Sequence, residues 1–143
     1  MVQNDSRQDL LNQVLLAQYH IWYKEIKMTF GLECYLQNCC TLNEIRYIFK
    51  ARSDMMPLNC KLWFPNSNHK CTLCNLKEDE NLFHFIAICP ILKEFRLRYF
   101  NFSYLDETQF IHVLDGLFGW KNLAYFVKSA LSYRNELISE FNN

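Results

Sequence analysis

The sequence predicts a mostly α protein, a helical domain with a small cysteine- and histidine-containing module inserted into it. Three observations carry this reading. Half of the 143 residues are hydrophobic and 16 % are aromatic, while glycine and proline number only three each, so little interrupts long helices. Apolar residues recur at helical spacing over most of the chain. Between the helical stretches, Cys71, Cys74, His84 and Cys89 form the pattern C-x2-C-x9-H-x4-C.

A chain of 143 residues has the length of one domain and buries roughly 68–70 % of the surface its unfolded form exposes. One domain over residues 1–143 is expected, in three parts: N-terminal helices over 1–52, a loop with the Cys/His module and a following helix over 53–100, and C-terminal helices over 101–143.

Ser6 and Asp9 can cap a first helix along which Leu11, Val14, Leu15, Tyr19, Trp22, Ile26 and Phe30 recur, fading near Gly31 or at the Cys39-Cys40 pair. Thr41-Leu42-Asn43-Glu44 has the form of a capping box, with a hydroxyl at the N-cap and a carboxylate three residues on. The helix it opens carries an apolar stripe of Leu42, Ile45, Ile48 and Phe49, with Asn43, Arg46 and Lys50 opposite. Residues 53–70, with Pro57, Pro65 and Asn66-Ser67-Asn68, read as loop.

Glu80 to Ile88 is apolar enough for a short helix, and Pro90 suits the first position of the next, which runs to Phe100 with Ile91, Leu92, Phe95 and Tyr99 inward. A further helix over about 106–115 stops at Gly116. From Trp120 onward, Leu123, Phe126, Val127, Ala130, Leu131, Leu137, Ile138 and Phe141 share one face, the most regular amphipathic pattern in the chain. Arg134 falls inside that stripe, so its stem should be packed and its head paired with a carboxylate, Asp115 or Glu107.

Two residues between cysteines is the spacing at which a tight turn aims both sulfurs at one centre, with turn N–H groups to stabilise thiolate charge. His84 and Cys89 supply the other two ligands if the helix carrying them ends near Cys89, as Pro90 suggests. Three sulfurs and one nitrogen in a closed tetrahedron describe one structural Zn2+ rather than a catalytic ion, which keeps an open position. The competing reading is plain burial, since free cysteine is among the most buried residue types. His69 and Cys60 lack a partner at this spacing, Cys34, Cys39 and Cys40 read as core or helix-end residues, and His20 and His112 as packed histidines.

Fifteen Lys plus Arg balance fifteen Asp plus Glu, so the molecule as a whole has no electrostatic pull on nucleic acid or an anionic membrane. No basic segment leads into an apolar run and no stretch approaches a membrane span, so an intracellular protein is expected. Seven cysteines, an odd number, then read as reduced thiols and metal ligands rather than a disulfide framework. The run Glu78-Asp79-Glu80, the one dense acidic cluster in the sequence, has no basic or histidine partner positioned to shift its pKa and reads as a solvated turn.

The run FKARSDMMPLNCKLW, followed by HKCTLCNLKEDENLFHFIAICPILKEFR, resembles the region downstream of the polymerase domain in reverse transcriptases of non-LTR (LINE-type) retrotransposons. There a CCHC zinc module is followed by proline and an arginine-containing helix, matched here by Cys71, Cys74, His84, Cys89, Pro90 and Arg96. The closing stretch GWKNLAYFVKSALSYRNELISEFN looks like the end of such polyproteins, so the resemblance spans roughly residues 45–143. It implies a zinc-binding segment that holds an RNA template or a DNA target. No Tyr-x-Asp-Asp polymerase motif and no endonuclease pattern occur, which implies a non-catalytic fragment or stand-alone descendant.

Two functions follow as expectations. In the first, zinc holds the module while Arg46, Lys50, Arg52, Lys61, Lys70, Arg96 and Arg98 contact phosphates and Trp63, with Phe64, stacks on unpaired bases of RNA or DNA. In the second, a zinc-stapled helical module docks against a reverse-transcriptase core or another protein without touching nucleic acid. An enzyme acting on a small molecule has little support.

Overall fold

The computed structural model describes Leu36, residues 40–60 and residues 68–142. The expected first helix lies outside the described residues, as do His20, Cys34, Cys39, Lys61, Trp63, Phe64 and Pro65. Among the described residues the protein is mostly helical, with no strand and one isolated antiparallel bridge, Lys70 with Asp79. The elements are α1 (Leu42–Arg52), a wide π turn (His84–Ile88), a 3-10 turn (Pro90–Leu92), α2 (Lys93–Phe100), α3 (Glu107–Leu114) and α4 (Trp120–Phe141). Their order matches the expected one.

Thr41 caps α1 as its sequence suggests, its Oγ1 accepting the Glu44 N–H at 3.2 Å. The other half of the box does not form. Glu44 turns inward instead, 9 % exposed, with its Oε2 buried and without a hydrogen-bond partner. The whole helix is rotated from the expected face: Glu44, Ile48, Ala51 and Arg52 are buried, whereas Leu42 is 63 % and Phe49 52 % exposed. A small residue, Ala51, faces inward where α1 packs on α4, and Arg52 finds acceptors inside. Its Nη1 donates to the Leu114 carbonyl at the end of α3, lies 3.6 Å from Asp115 Oδ1, and the guanidinium sits 5.3 Å from the Trp120 ring centroid. A cation on the last carbonyls of a helix is favourably placed against its dipole.

Pro90 opens the 3-10 turn that leads into α2, and Asn101 at φ 64° closes α2 in the left-handed region. Leu92, Arg96 and Phe100, four residues apart, form its buried line; Phe95 and Tyr99 flank it half-buried, and Ile91, expected inside, is 37 % exposed. At α3, Asp106 and Gln109 make a complete capping box that the sequence reading did not single out. The Gln109 N–H donates to Asp106 Oδ1 at 2.7 Å and the Asp106 N–H to Gln109 Oε1 at 2.9 Å. His112, expected to be packed, is exposed on α3. Gly116 stops the helix for two reasons: its φ is +79°, and a Cβ there would stand 2.3 Å from the Trp120 ring.

The long helix α4 is the backbone of the core. Leu123, Phe126, Val127, Ala130 and Leu131 are buried along it, Leu137 and Ile138 are half-buried, and Phe141, expected on the same face, is 61 % exposed. Phe126 meets the ring of Phe85 at 5.8 Å and that of Phe100 at 5.0 Å, so one side chain of α4 joins the π turn and α2. No described helix is long and apolar enough to cross a membrane.

Arg134 does sit in the apolar stripe with a paired head, but its partner is neither Asp115 nor Glu107. It is Glu80, from the sequence-distant acidic run: Nε donates to Oε2 at 2.8 Å and Nη2 to Oε1 at 2.7 Å. Asn59 completes the network, its Oδ1 accepting from Nη2 at 3.1 Å and its N–H donating to Glu80 Oε1 at 2.8 Å. The two charged side chains are 7 % and 1 % exposed, so neither has water to fall back on. Arg134→Met should therefore cost about 3–5 kcal/mol in urea unfolding, because Glu80 is left buried and unpaired. The double change Arg134→Met with Glu80→Gln should cost less than Arg134→Met alone. Additive losses would mean that the pair is not coupled.

Candidate metal centre

Two short backbone devices bring the four candidate ligands together. The first is a hairpin: the Cys71 N–H donates to the Glu78 carbonyl at 2.9 Å and the Glu80 N–H to the His69 carbonyl at 2.8 Å, on either side of the Lys70–Asp79 bridge. Cys71 lies at the end of its first arm and Cys74 in the turn, which Lys77 closes at φ 59°. The second is the π turn. Asn81 starts it, its Oδ1 accepting the His84 N–H at 2.8 Å in the manner of an N-cap.

His84 and Cys89 lie five positions apart, and at 3.6 residues per turn their side chains would diverge by about 140° around an α-helix. The chain instead closes from i to i+5, the Cys89 N–H donating to the His84 carbonyl at 2.8 Å. This wider turn brings the fifth residue back over the first. Pro90 then holds Cys89 in an extended conformation, φ −53° and ψ 118°, and ends the turn there.

The result is a tight cluster of Cys71 Sγ, Cys74 Sγ, His84 Nε2 and Cys89 Sγ, each within 4.8 Å of the others. Metal–sulfur bonds of about 2.3 Å and a metal–nitrogen bond of about 2.0 Å give a tetrahedron with edges of roughly 3.5–3.8 Å. Cys74 Sγ and His84 Nε2 stand 3.4 Å apart. The four residues can hold a metal ion, and among the described residues they form the one such group. Cys60 and His69, the neighbouring alternatives, lie outside it.

His84 has a second partner. Its Nδ1 is 3.2 Å from Glu78 Oε2, and because a carboxylate accepts, Nδ1 carries the proton and Nε2 is left to face the sulfurs. Such a carboxylate behind a ligating imidazole fixes the ring and raises its basicity. The acidic run is therefore a solvated turn only at Glu78 and Asp79, and both of these, like Glu80, have partners. Glu78 supports His84, Asp79 pairs with Lys70 at 3.0 Å, and Glu80 is buried on Arg134.

The protein's own groups are already polarised toward metal binding. The Cys71 thiol is held down to about 3, chiefly by the hydrogen bond from Cys89, then against the cost of burial by His84 and by the backbone N–H groups of Leu73 and Cys74. Cys89 is pushed up, first by its hydrogen bond to Cys71 and then by burial, and burial pushes Cys74 up as well. At His84 burial favours the neutral ring, but Cys71 and Glu78 outweigh it and its pKa is raised. One thiolate is thus in place at neutral pH, while two thiols must surrender protons to a metal.

The structure also sorts the candidate nucleic-acid contacts. Arg46 and Lys50 are exposed on α1, Arg98 is exposed on α2, and Lys70 is exposed but paired with Asp79. Arg52 and Arg96 are corrected: they are 4 % and 0 % exposed, so neither reaches a phosphate. Arg96 donates from Nε to the Ser103 carbonyl at 2.7 Å, from Nη1 to that of Ile86 at 3.3 Å and from Nη2 to that of Cys89. Burial lowers its pKa to about 10, which leaves it a cation at neutral pH. Lys61 and Trp63 lie outside the described residues. Two positions the sequence reading passed over now stand out: Phe49, misassigned to the core, and Lys77, beside Lys70 and His84 on an open groove of about 530 Å³. Helical periodicity could not separate the exposed Phe49 from the buried Ile48 next to it.

One equivalent of Co2+ should give a tetrahedral thiolate spectrum, lost in Cys74→Ser. Binding at pH 7.5 should release about two thiol protons, from Cys74 and Cys89. Affinity should fall as pH is lowered, because protons compete for the same ligands; affinity unchanged between pH 8 and 6 would exclude this ligand set. Glu78→Ala should weaken binding by about 10–100-fold in a chelator competition.

No family model matches the sequence, and no curated protein or solved structure is similar to the chain, so what the cluster can do rests on its own chemistry.

Proposed function

We propose that this chain is a non-catalytic module, stapled by one structural Zn2+, that binds single-stranded nucleic acid, like the zinc-binding region downstream of non-LTR reverse transcriptases that it resembles. Zinc is the ion of choice because three thiolates and one imidazole in a closed tetrahedron suit a soft, redox-inert cation and leave no position for substrate. The observation that carries the binding reading is the outward face of α1. There Phe49, 52 % exposed, lies one turn from the exposed Arg46, three residues before it, and Lys50, four residues after Arg46, is exposed on the same outward side. An exposed ring beside two cations on one helix face supplies a stacking platform and phosphate contacts together. This is a local arrangement, and it does not depend on the net charge of zero.

The second reading, a protein-docking module, draws on exposed apolar side chains that no phosphate needs: Leu117 at 69 %, Leu42 at 63 % and Met55 at 56 %. Fluorescence anisotropy with a mixed-sequence single-stranded RNA, and with its DNA counterpart, separates the two. Binding should weaken with salt, and Arg46→Gln with Lys50→Gln should flatten the log–log salt slope by roughly 1.4, about 0.7 per lost contact. Phe49→Ala should cost about 1–3 kcal/mol of binding. No binding at ~50 mM salt, with self-association in sedimentation, would replace this reading by the docking one.

A further inference from the structure

We infer that Arg96 is the positioning residue of the metal centre: a buried guanidinium that holds the Cys89 arm by its backbone and serves as counter-charge to the ligand cluster. Arg96 is 0 % exposed. The other two buried arginines each have a carboxylate, Asp115 beside Arg52 and Glu80 against Arg134. Among the described residues no ion pair to a carboxylate is formed by Arg96; its hydrogen bonds go to the carbonyls of Ile86, Cys89 and Ser103, and the Tyr104 ring lies 5.6 Å away.

A buried cation held by carbonyl dipoles alone is expensive unless a negative charge lies close by. The cluster supplies it. Three thiolates and a neutral imidazole around a divalent ion carry a net charge of about −1. One of the carbonyls that Arg96 holds belongs to Cys89, itself a candidate ligand, so the guanidinium is hydrogen-bonded to the backbone of the cluster. The same guanidinium fixes the π turn. The His84 carbonyl is taken by the Cys89 N–H and that of Ala87 by the Leu105 N–H at 3.1 Å, while Arg96 takes that of Ile86 and shares that of Cys89 with the Leu92 N–H, which donates to it at 3.1 Å. Positioning and charge compensation therefore reside in one side chain.

The inference rests on the reading of the cluster as a metal site, and the test keeps the two apart. Cobalt(II) affinity of the full chain is measured by chelator competition in a double-mutant cycle between Arg96→Gln and Cys74→His. The second change makes the ligand set two thiolates and two imidazoles, electrically neutral around a divalent ion. In the native ligand set Arg96→Gln should weaken binding by about 10–100-fold, and Arg96→Lys, which keeps the charge, by less. In the Cys74→His background the Arg96→Gln loss should shrink toward the smaller loss that Arg96→Lys leaves in the native ligand set, the part due to positioning alone. If Arg96→Gln does not fold, Arg96→Met, of similar length and wholly apolar above its stem, takes its place in the same cycle. Equal losses in both backgrounds, or no loss in the native one, would overturn the assignment. A wild-type chain that binds no cobalt would instead remove the metal reading itself.

Discussion

A single backbone hydrogen bond, from the Cys89 N–H to the His84 carbonyl, decides whether the four residues that can hold a metal ion meet at all. Closed from i to i+4, the same residues would form an ordinary helical turn and send Cys89 well away from His84. Closed from i to i+5, they put a sulfur beside the imidazole that Glu78 already orients. π turns are uncommon because their hydrogen bonding is less favourable, and they concentrate where function needs them. Here the turn is enforced from several sides: Asn81 starts it, Pro90 ends it, Phe85 and Ile86 are buried in the core, and Arg96 takes two of its carbonyls.

The rest of the fold fastens this unit to the helices through buried charge. Arg134 on α4 grips Glu80 at the foot of the hairpin, Arg96 on α2 grips the far end of the π turn, and Arg52 on α1 closes α3 over Trp120. Such groups are poor sources of net stability but strongly specify one arrangement, because any other leaves a charge buried without a partner. The ligand cluster is consequently coupled at both arms to elements of the helical core. Loading it with metal is expected to tighten α2 and α4 as well as the hairpin, since binding free energy at such a site is folding free energy.

The outward surface has a different character. α1 presents Arg46, Phe49 and Lys50 to solvent while its other side is spent on Ile48, Ala51 and Arg52. The residues of α1 packed in the core and those left in solvent are thus separated on one helix. That separation allows the exposed face to be altered without disturbing the Cys/His cluster.

What the sequence determined by itself was mostly local. Thr41, Pro90, Gly116 and the α4 periodicity placed helix boundaries, because capping, proline and glycine act within a few residues. The ligand set was also legible, since C-x2-C with a downstream His and Cys is a chemical pattern before it is a shape. Tertiary structure alone decided which face of α1 turns inward, because Ile48 and Phe49 are equally apolar and only packing against α4 separates them. It decided that Arg52 and Arg96 are buried braces rather than surface cations, since nothing in their neighbours announces carbonyls far along the chain. It also paired Arg134 with Glu80, 54 residues away, where the sequence offered only nearer carboxylates. Sequence encodes the conformational preference of each segment; the partner of a buried charge is settled only when distant segments meet and water is excluded between them.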